Sequence, residues 1–195
     1  MTRKYELKKR AERQAETRQR IVDAAIKLHR TKGPARTTFS DIAALAGVQR
    51  HTLYRYFPDE RQMGLACSGH HFELNPAPDP AAWGTVDEPG ERLRVGLEAL
   101  YAWYECSEDM LTCVLRDAEV DPLTRELFDL RSREPMAAIR RSLATGLGTG
   151  KRVQAALDLA LDFHAWHRLW MSGLDAREAA CLMADVVVEP HPERV

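Results

Sequence analysis

Apolar positions are sparse at the start of the chain and become periodic near residue 21. Ile21, Ala25 and Leu28 form a stripe, and Glu12, Glu16 and Arg20 offer charge pairing four residues apart, so the first 33 residues predict one helix. Gly33-Pro34 ends it. Thr38-Phe39-Ser40-Asp41 has the form of a capping box, opening a short helix through Ile42, Ala43, Leu45 and Ala46. Gly47 breaks that helix, and Gln49 to Phe57 reads as another short one. Pro58-Asp59 marks a boundary, with a further helix from Glu60 to about Phe72. Four of the 10 prolines (76, 78, 80 and 89) fall between Asn75 and Gly90, which predicts a loop. Helical periods follow: Leu93, Leu97, Leu100, Tyr104; Met110, Val114, Leu115; Leu123, Leu127, Leu130.

The segment Arg152 to Leu174 carries two stripes. Val153, Leu157, Ala160, His164, His167 and Met171 form one, and Ala156, Leu159, Phe163, Trp166 and Trp170 form the other. That pattern predicts one helix buried on two sides, one against its own core and one against a partner chain. Ala176, Ala179, Ala180, Met183, Val186 and Val187 predict a helix after it. No stretch alternates apolar and polar residues, so strands are not expected and the fold class is all-α.

With 195 residues, 45% hydrophobic and 29% charged, the chain can build a folded core. No apolar run approaches the roughly 18 residues of a membrane span. The opening MTRKYELKKR has no apolar stretch after its charges, so no secretory signal and no membrane association are predicted. Cysteines 67, 106, 113 and 181 form no CxxC, which points to a reducing, cytoplasmic setting. Cys106 and Cys113, taken as two turns apart on one helix, lie about 10 Å apart along its axis, too far for a disulfide. The net charge of −1 conceals a division. Residues 1–61 hold 15 Lys+Arg against 7 Asp+Glu, and the remainder holds 13 against 22. A basic head that meets a polyanion and an acidic body with another task are implied.

A capped short helix, a glycine turn and a second short helix make a helix-turn-helix when their apolar positions agree. Phe39, Ile42, Ala43 and Ala46 offer one face and Val48, Leu53 and Phe57 another, leaving Gln49, Arg50, His51, Thr52, Tyr54 and Tyr56 largely outward. The second helix would enter the major groove of double-stranded DNA. Arg50 can bind guanine through two hydrogen bonds, and the hydroxyls of Thr38, Thr52 and Tyr54 can bind phosphates. The expected division is a DNA-binding domain over 1–60 and a second helical domain over 61–195.

The run from Thr37 to Asp59, with its threonine before the second helix, DIA, AGV, TLY and YF, closely resembles the DNA-binding signature of TetR-family transcriptional regulators. The resemblance implies a homodimeric regulator, usually a repressor, whose C-terminal domain binds a small molecule and releases a palindromic operator. It matches Thr38, Thr52 and Tyr54 to phosphate contacts, and Ser40, Arg50, His51 and Tyr56 to places that meet bases or nearby backbone. Two departures stand out. Gln49 stands where serine is common, which alters the cap of the recognition helix. Glu60 stands where a phosphate-binding lysine is common, with Arg61 next to it as a substitute. The N-terminal cations Arg3, Lys4, Lys8, Lys9, Arg10 and Arg13 offer further phosphate contacts.

In the body, Trp83, Trp103, Tyr104, Met110, Phe128, Phe163, Trp166 and Trp170 are the candidates for an apolar or aromatic effector. Leu157, His164, Met171, Met183 and Val187 are the candidate dimer contacts. His164-x-x-His167 and the group Cys67, His70, His71 have metal-like spacing but fall short of four ligands, so neither a metal nor a cofactor is expected. No GxSxG, HExxH or glycine-rich phosphate loop is present, so an enzyme is not expected. A DNA-binding protein without an effector pocket is the rival reading.

Overall fold

A computed structural model of the protein describes residues 2–188, with side chains from Tyr5 onward. Ten α-helices and two short 3-10 turns make up the regular structure of these residues, and no strand occurs among them. The helices group into two compact units. One holds the residues up to Leu74 together with Asp109–Arg131, and the other holds Asn75–Glu108 together with the residues from Ser132 on.

The first unit opens with α1 (Thr2–Lys32), α2 (Phe39–Ala46), α3 (Arg50–Tyr56) and α4 (Glu60–Leu74). Its core joins Ile21, Val22 and Ala25 of α1 to Ile42, Ala43 and Ala46 of α2, Leu53 of α3 with Phe57 after it, and Met63 and Cys67 of α4. Burial pushes the Cys67 thiol up to about 12, so it packs as a small hydrophobe. This unit also takes in α6 (Glu108–Ala118) from Asp109 and α7 (Pro122–Ala144) as far as Arg131.

Helix α6 grips the end of α1. Arg116 donates to the Lys32 carbonyl at 2.8 Å, and the Cys113 thiol donates to the Arg30 carbonyl at 3.5 Å. These donors meet carbonyls that the last turn of a helix leaves without intrahelical partners. Arg30 in turn holds the Asp109 carboxylate at 2.8 and 3.0 Å. The buried Asp117 carboxylate accepts the Ala35 N–H at 3.0 Å, which fixes the turn between α1 and α2. Gly33 has φ 94°, and a Cβ there would run into that carboxylate. Only glycine meets both demands.

In the second unit, α10 (Ala176–Val188) packs along α5 (Pro89–Cys106) and against α8 (Lys151–Ala160) and α9 (Phe163–Met171). The single long helix expected over 152–174 is corrected here. The chain turns at Leu161, and Asp162 starts α9 by accepting the Ala165 N–H at 2.8 Å. Tyr101 and Tyr104 hold the break by donating to the carbonyls of Ala160 and Leu161 at 2.8 and 2.7 Å. Cys106 and Cys113 fall on different helices, α5 and α6, and not on one as the spacing argument assumed. No described helix is long and apolar enough to cross a membrane.

Candidate nucleic-acid interface

The α2–turn–α3 segment is built by local rules. Thr38 caps α2 by accepting the Asp41 N–H at 3.1 Å, while the Asp41 carboxylate accepts the Thr38 N–H at 3.0 Å and its hydroxyl at 2.8 Å. Lys32 reaches Asp41 from α1 at 2.6 Å. The Lys32 ammonium, with the Thr38 donors, holds the Asp41 carboxyl down at about 2. Gly47 closes α2 in the left-handed conformation at φ 64°, and Val48 donates back to the Ala43 carbonyl at 3.0 Å. Leu53 anchors α3 in the core with no exposure at all.

With that side fixed, α3 presents the other. Gln49, Arg50, His51 and Tyr54 are exposed, as are Thr38 and Ser40, while Thr52 and Tyr56 are half-buried. Gln49 makes no side-chain cap, so the first turn of α3 has no protein side chain across it. Arg50 lies over the Tyr54 ring at 5.6 Å and donates to its hydroxyl at 3.3 Å. Tyr54 leans on Phe39 with ring centres 5.1 Å apart. Thr52 Oγ1 lies 3.3 Å from His51 Nε2. The Thr38 hydroxyl is committed to Asp41, and Tyr56 packs against the core, so Ser40, Gln49, Arg50, His51 and Tyr54 are the exposed donors left in the predicted set.

Two cations that the sequence reading does not single out border this surface. Arg55 lies over Tyr56 at 5.4 Å, and Arg18 of α1 lies over Phe57 at 5.0 Å. Neither spacing nor charge count marks them, because each is placed by a ring it covers. Arg61 is paired with Glu126 of α7. Both side chains of that pair are about half exposed, so the expected role as a substitute phosphate ligand calls for exchange of this carboxylate for a phosphate. Lys8, Lys9, Arg10 and Arg13 are exposed, and the side chains of Arg3 and Lys4 lie outside the described residues.

A family model described as "Bacterial regulatory proteins, tetR family" matches residues 21–67, the stretch that carries this geometry. Over that stretch, about a quarter of the chain, the protein is similar to TetR-family regulators. Over 48 residues it is 44% identical to the HTH-type transcriptional regulator TtgR of Pseudomonas putida, covering 25% of this chain and 23% of that protein. Over 75 residues it is 39% identical to SrpR of Pseudomonas putida, covering 37% and 35%. The chain thus spans a quarter to a third of these relatives' length. Among solved structures, AibR in complex with isovaleryl coenzyme A and operator DNA overlays with a TM-score of 0.64 at 19% identity, over 90% of this chain and all of that one. A regulator from Saccharomonospora viridis in complex with choline gives 0.59 at 19% identity, over 89% and 96%. These overlays show that the chain has the same fold as these two proteins.

The expected effector residues do not gather within one unit. Met110 and Phe128 belong to the first, and Trp83, Trp103, Phe163 and Trp166 belong to the second. Trp83 is fully buried and donates to the Ser142 hydroxyl at 3.1 Å. Phe163 and Trp166 join Tyr104 in a cluster whose ring centres lie 5.4 Å apart, and Trp103 donates to the Asn75 carbonyl at 3.2 Å. The dimer set divides too. His164 and Met171 are exposed, Met171 at 70%, but Leu157, Met183 and Val187 are turned into their own protomer's core. Those last three are corrected as dimer contacts, because each is at most 7% exposed within this chain and has no surface left to offer. Among the described residues no group of three or more His, Cys, Asp or Glu is placed to hold a metal ion.

Proposed function

We propose that this chain is a ligand-responsive, DNA-binding transcriptional regulator, a repressor acting as a homodimer on a palindromic operator. One observation carries the reading. A seven-residue helix is pinned by Leu53 and Phe57 on one side and shows Arg50, His51 and Tyr54 to solvent on the other, within a TetR-family head. Such a surface can donate to base edges and phosphates, and none of these side chains has a core role to explain it.

The homodimer is supported by an apolar surface on two helices in contact. Leu159 of α8 and Leu182 and Val186 of α10 are exposed at 53%, 44% and 36%, with Val186 one turn after Leu182. These residues take the place that the sequence reading gave to Leu157, Met183 and Val187. Two-fold pairing would set recognition helices about 34–36 Å apart, one turn of the duplex. The effector reading draws on the ligand-bound relatives of the same fold, and we place the ligand against the aromatic side chains of the second unit. A ligand releases DNA only if it prefers a conformation in which the recognition helices are wrongly spaced.

The test is enrichment of duplexes from a random pool by the purified protein, followed by footprinting and light scattering. A two-fold symmetric footprint and a mass near twice 22.1 kDa are expected. An unselective pool, or a mass near 22.1 kDa at micromolar concentration, refutes the reading. For the effector, acyl-coenzyme A thioesters and quaternary amines are the first compounds to screen for release of the enriched duplex.

A further inference from the structure

We infer that the N-terminal third of α1 is a second DNA-binding surface, a helical arm that lies along the phosphate backbone beside the recognition helix. This inference rests on the DNA-binding reading of the head. From Tyr5 to Arg20 every residue except Thr17 is exposed, so this stretch gains little from a protein core before Arg18. It is nevertheless helical, and it is dominated by cations: Lys8, Lys9, Arg10, Arg13, Arg18 and Arg20 against Glu6, Glu12 and Glu16. A helix whose few apolar residues stay uncovered is marginal by itself in water, which leaves its order to be completed by something else.

Arg18 tells which face matters. Its guanidinium sits 5.0 Å over the ring of Phe57, immediately after α3, so that side of α1 borders the end of the recognition helix. At about 100° per residue, Leu7, Ala11, Gln14 and Ala15 continue the Arg18 direction to within about 60°. Lys8 and Arg10 flank this ridge at about 80° on either side, whereas Glu6, Glu12 and Glu16 all lie at least about 120° away. The ridge is a thin, exposed line of Leu7, Ala11 and Ala15 with Gln14, bordered by two cations, and the acids are turned off it. A phosphate chain can approach such a face closely between the two cations. Lys8 to Arg18 spans about 15 Å of helix axis, roughly four base-pair steps of duplex.

The face makes the test internal. Lys8→Gln with Arg10→Gln removes the two flanking cations, and Arg20→Gln with Lys27→Gln removes the same charge from the opposite side of α1, at two exposed positions given no DNA contact. Each full-length variant is titrated with the duplex enriched by the unmodified protein and with a random duplex, over a series of salt concentrations. Circular dichroism confirms that the helix content is kept. For the first pair the salt slope is expected to fall by about 0.9 for each phosphate that is no longer neutralised, on both duplexes alike, because phosphate contacts do not read sequence. For the second pair the slope is expected to stay at the unmodified value. Equal reductions in the two pairs overturn the inference in favour of plain net charge, and no reduction in either overturns it outright. If the unmodified protein enriches no duplex at all, the reading of the head itself fails, and the arm with it.

Discussion

Asp117→Ala is the sharpest perturbation of the fold that leaves every proposed DNA contact untouched. Asp117 is 3% exposed, accepts the Ala35 N–H at 3.0 Å and receives the Arg116 guanidinium at 2.9 Å. Truncation leaves the Ala35 N–H without its acceptor, which costs about 1–3 kcal/mol. It also removes one partner of an ion pair. Loss of a fully buried pair costs about 3–5 kcal/mol, but the Arg116 side chain is 40% exposed and rehydrates, so about 1 kcal/mol is the larger share expected here. The sum of about 2–4 kcal/mol corresponds to a fall of roughly 4–16 °C in Tm for a chain of this size. Asp117→Asn keeps an acceptor for Ala35 and gives up only the charge, so it should lose less than half as much. Scanning calorimetry of the three proteins at neutral pH measures both effects. A fall below about 1 °C for the alanine variant, or equal falls for both, would show that α6 does not hold the end of α1 in the way described.

Arg50→Ala should weaken the enriched duplex by about 1–3 kcal/mol and relax preference at one base step, whereas Tyr54→Phe should weaken specific and random duplexes equally while keeping its ring on Phe39; competition binding separates them. Leu182→Glu with Val186→Glu should give a mass near 22.1 kDa by light scattering with an unchanged helical spectrum, and a persistent dimer would place the interface elsewhere. His29 is held down at about 4, mainly by burial and against the pull of Asp117. Its folded value lies below the ordinary 6.5, so the stability it protects is whole above 6.5 and is lost as pH falls toward 4, by up to about 3 kcal/mol. A pH series of denaturant melts should show that slope, and His29→Gln should flatten it. Asp41, also depressed, should add a further loss only as pH drops from about 4 to about 2.

The head was legible because its determinants are local. A capping box at Thr38–Asp41, a left-handed Gly47 and apolar spacing within eight residues specify α2, the turn and α3 without reference to the rest of the chain. The junction of α1 with α6 was not legible, since Arg30, Lys32 and Ala35 meet Asp109, Arg116 and Asp117 across about eighty residues. In the body, periodicity misled. The apolar residues of α8 and α9 follow one period along the sequence, so their stripes read as one helix, although Asp162 has the character of an N-cap. Periodicity also says that a face is apolar without saying what covers it. For that reason Leu157 and Met183 passed for interface while Leu159 and Leu182, one or two residues away, hold the exposed positions.

The first unit is discontinuous in sequence: it lacks residues 75–108 and resumes at Asp109. A ribosome that has released everything up to Leu74 has produced the DNA-reading helices but not the side chains that cap the end of α1. Until Asp109–Arg131 emerges, the carbonyls of Arg30 and Lys32 and the N–H of Ala35 have only water as partner. The closing contacts span a long stretch of intervening chain, whose loop entropy must be overcome before they form. Maturation of the reading head is therefore timed to the middle of synthesis. A fragment ending at Leu74 is expected to be looser at the α1–α2 turn than the same residues in the whole chain.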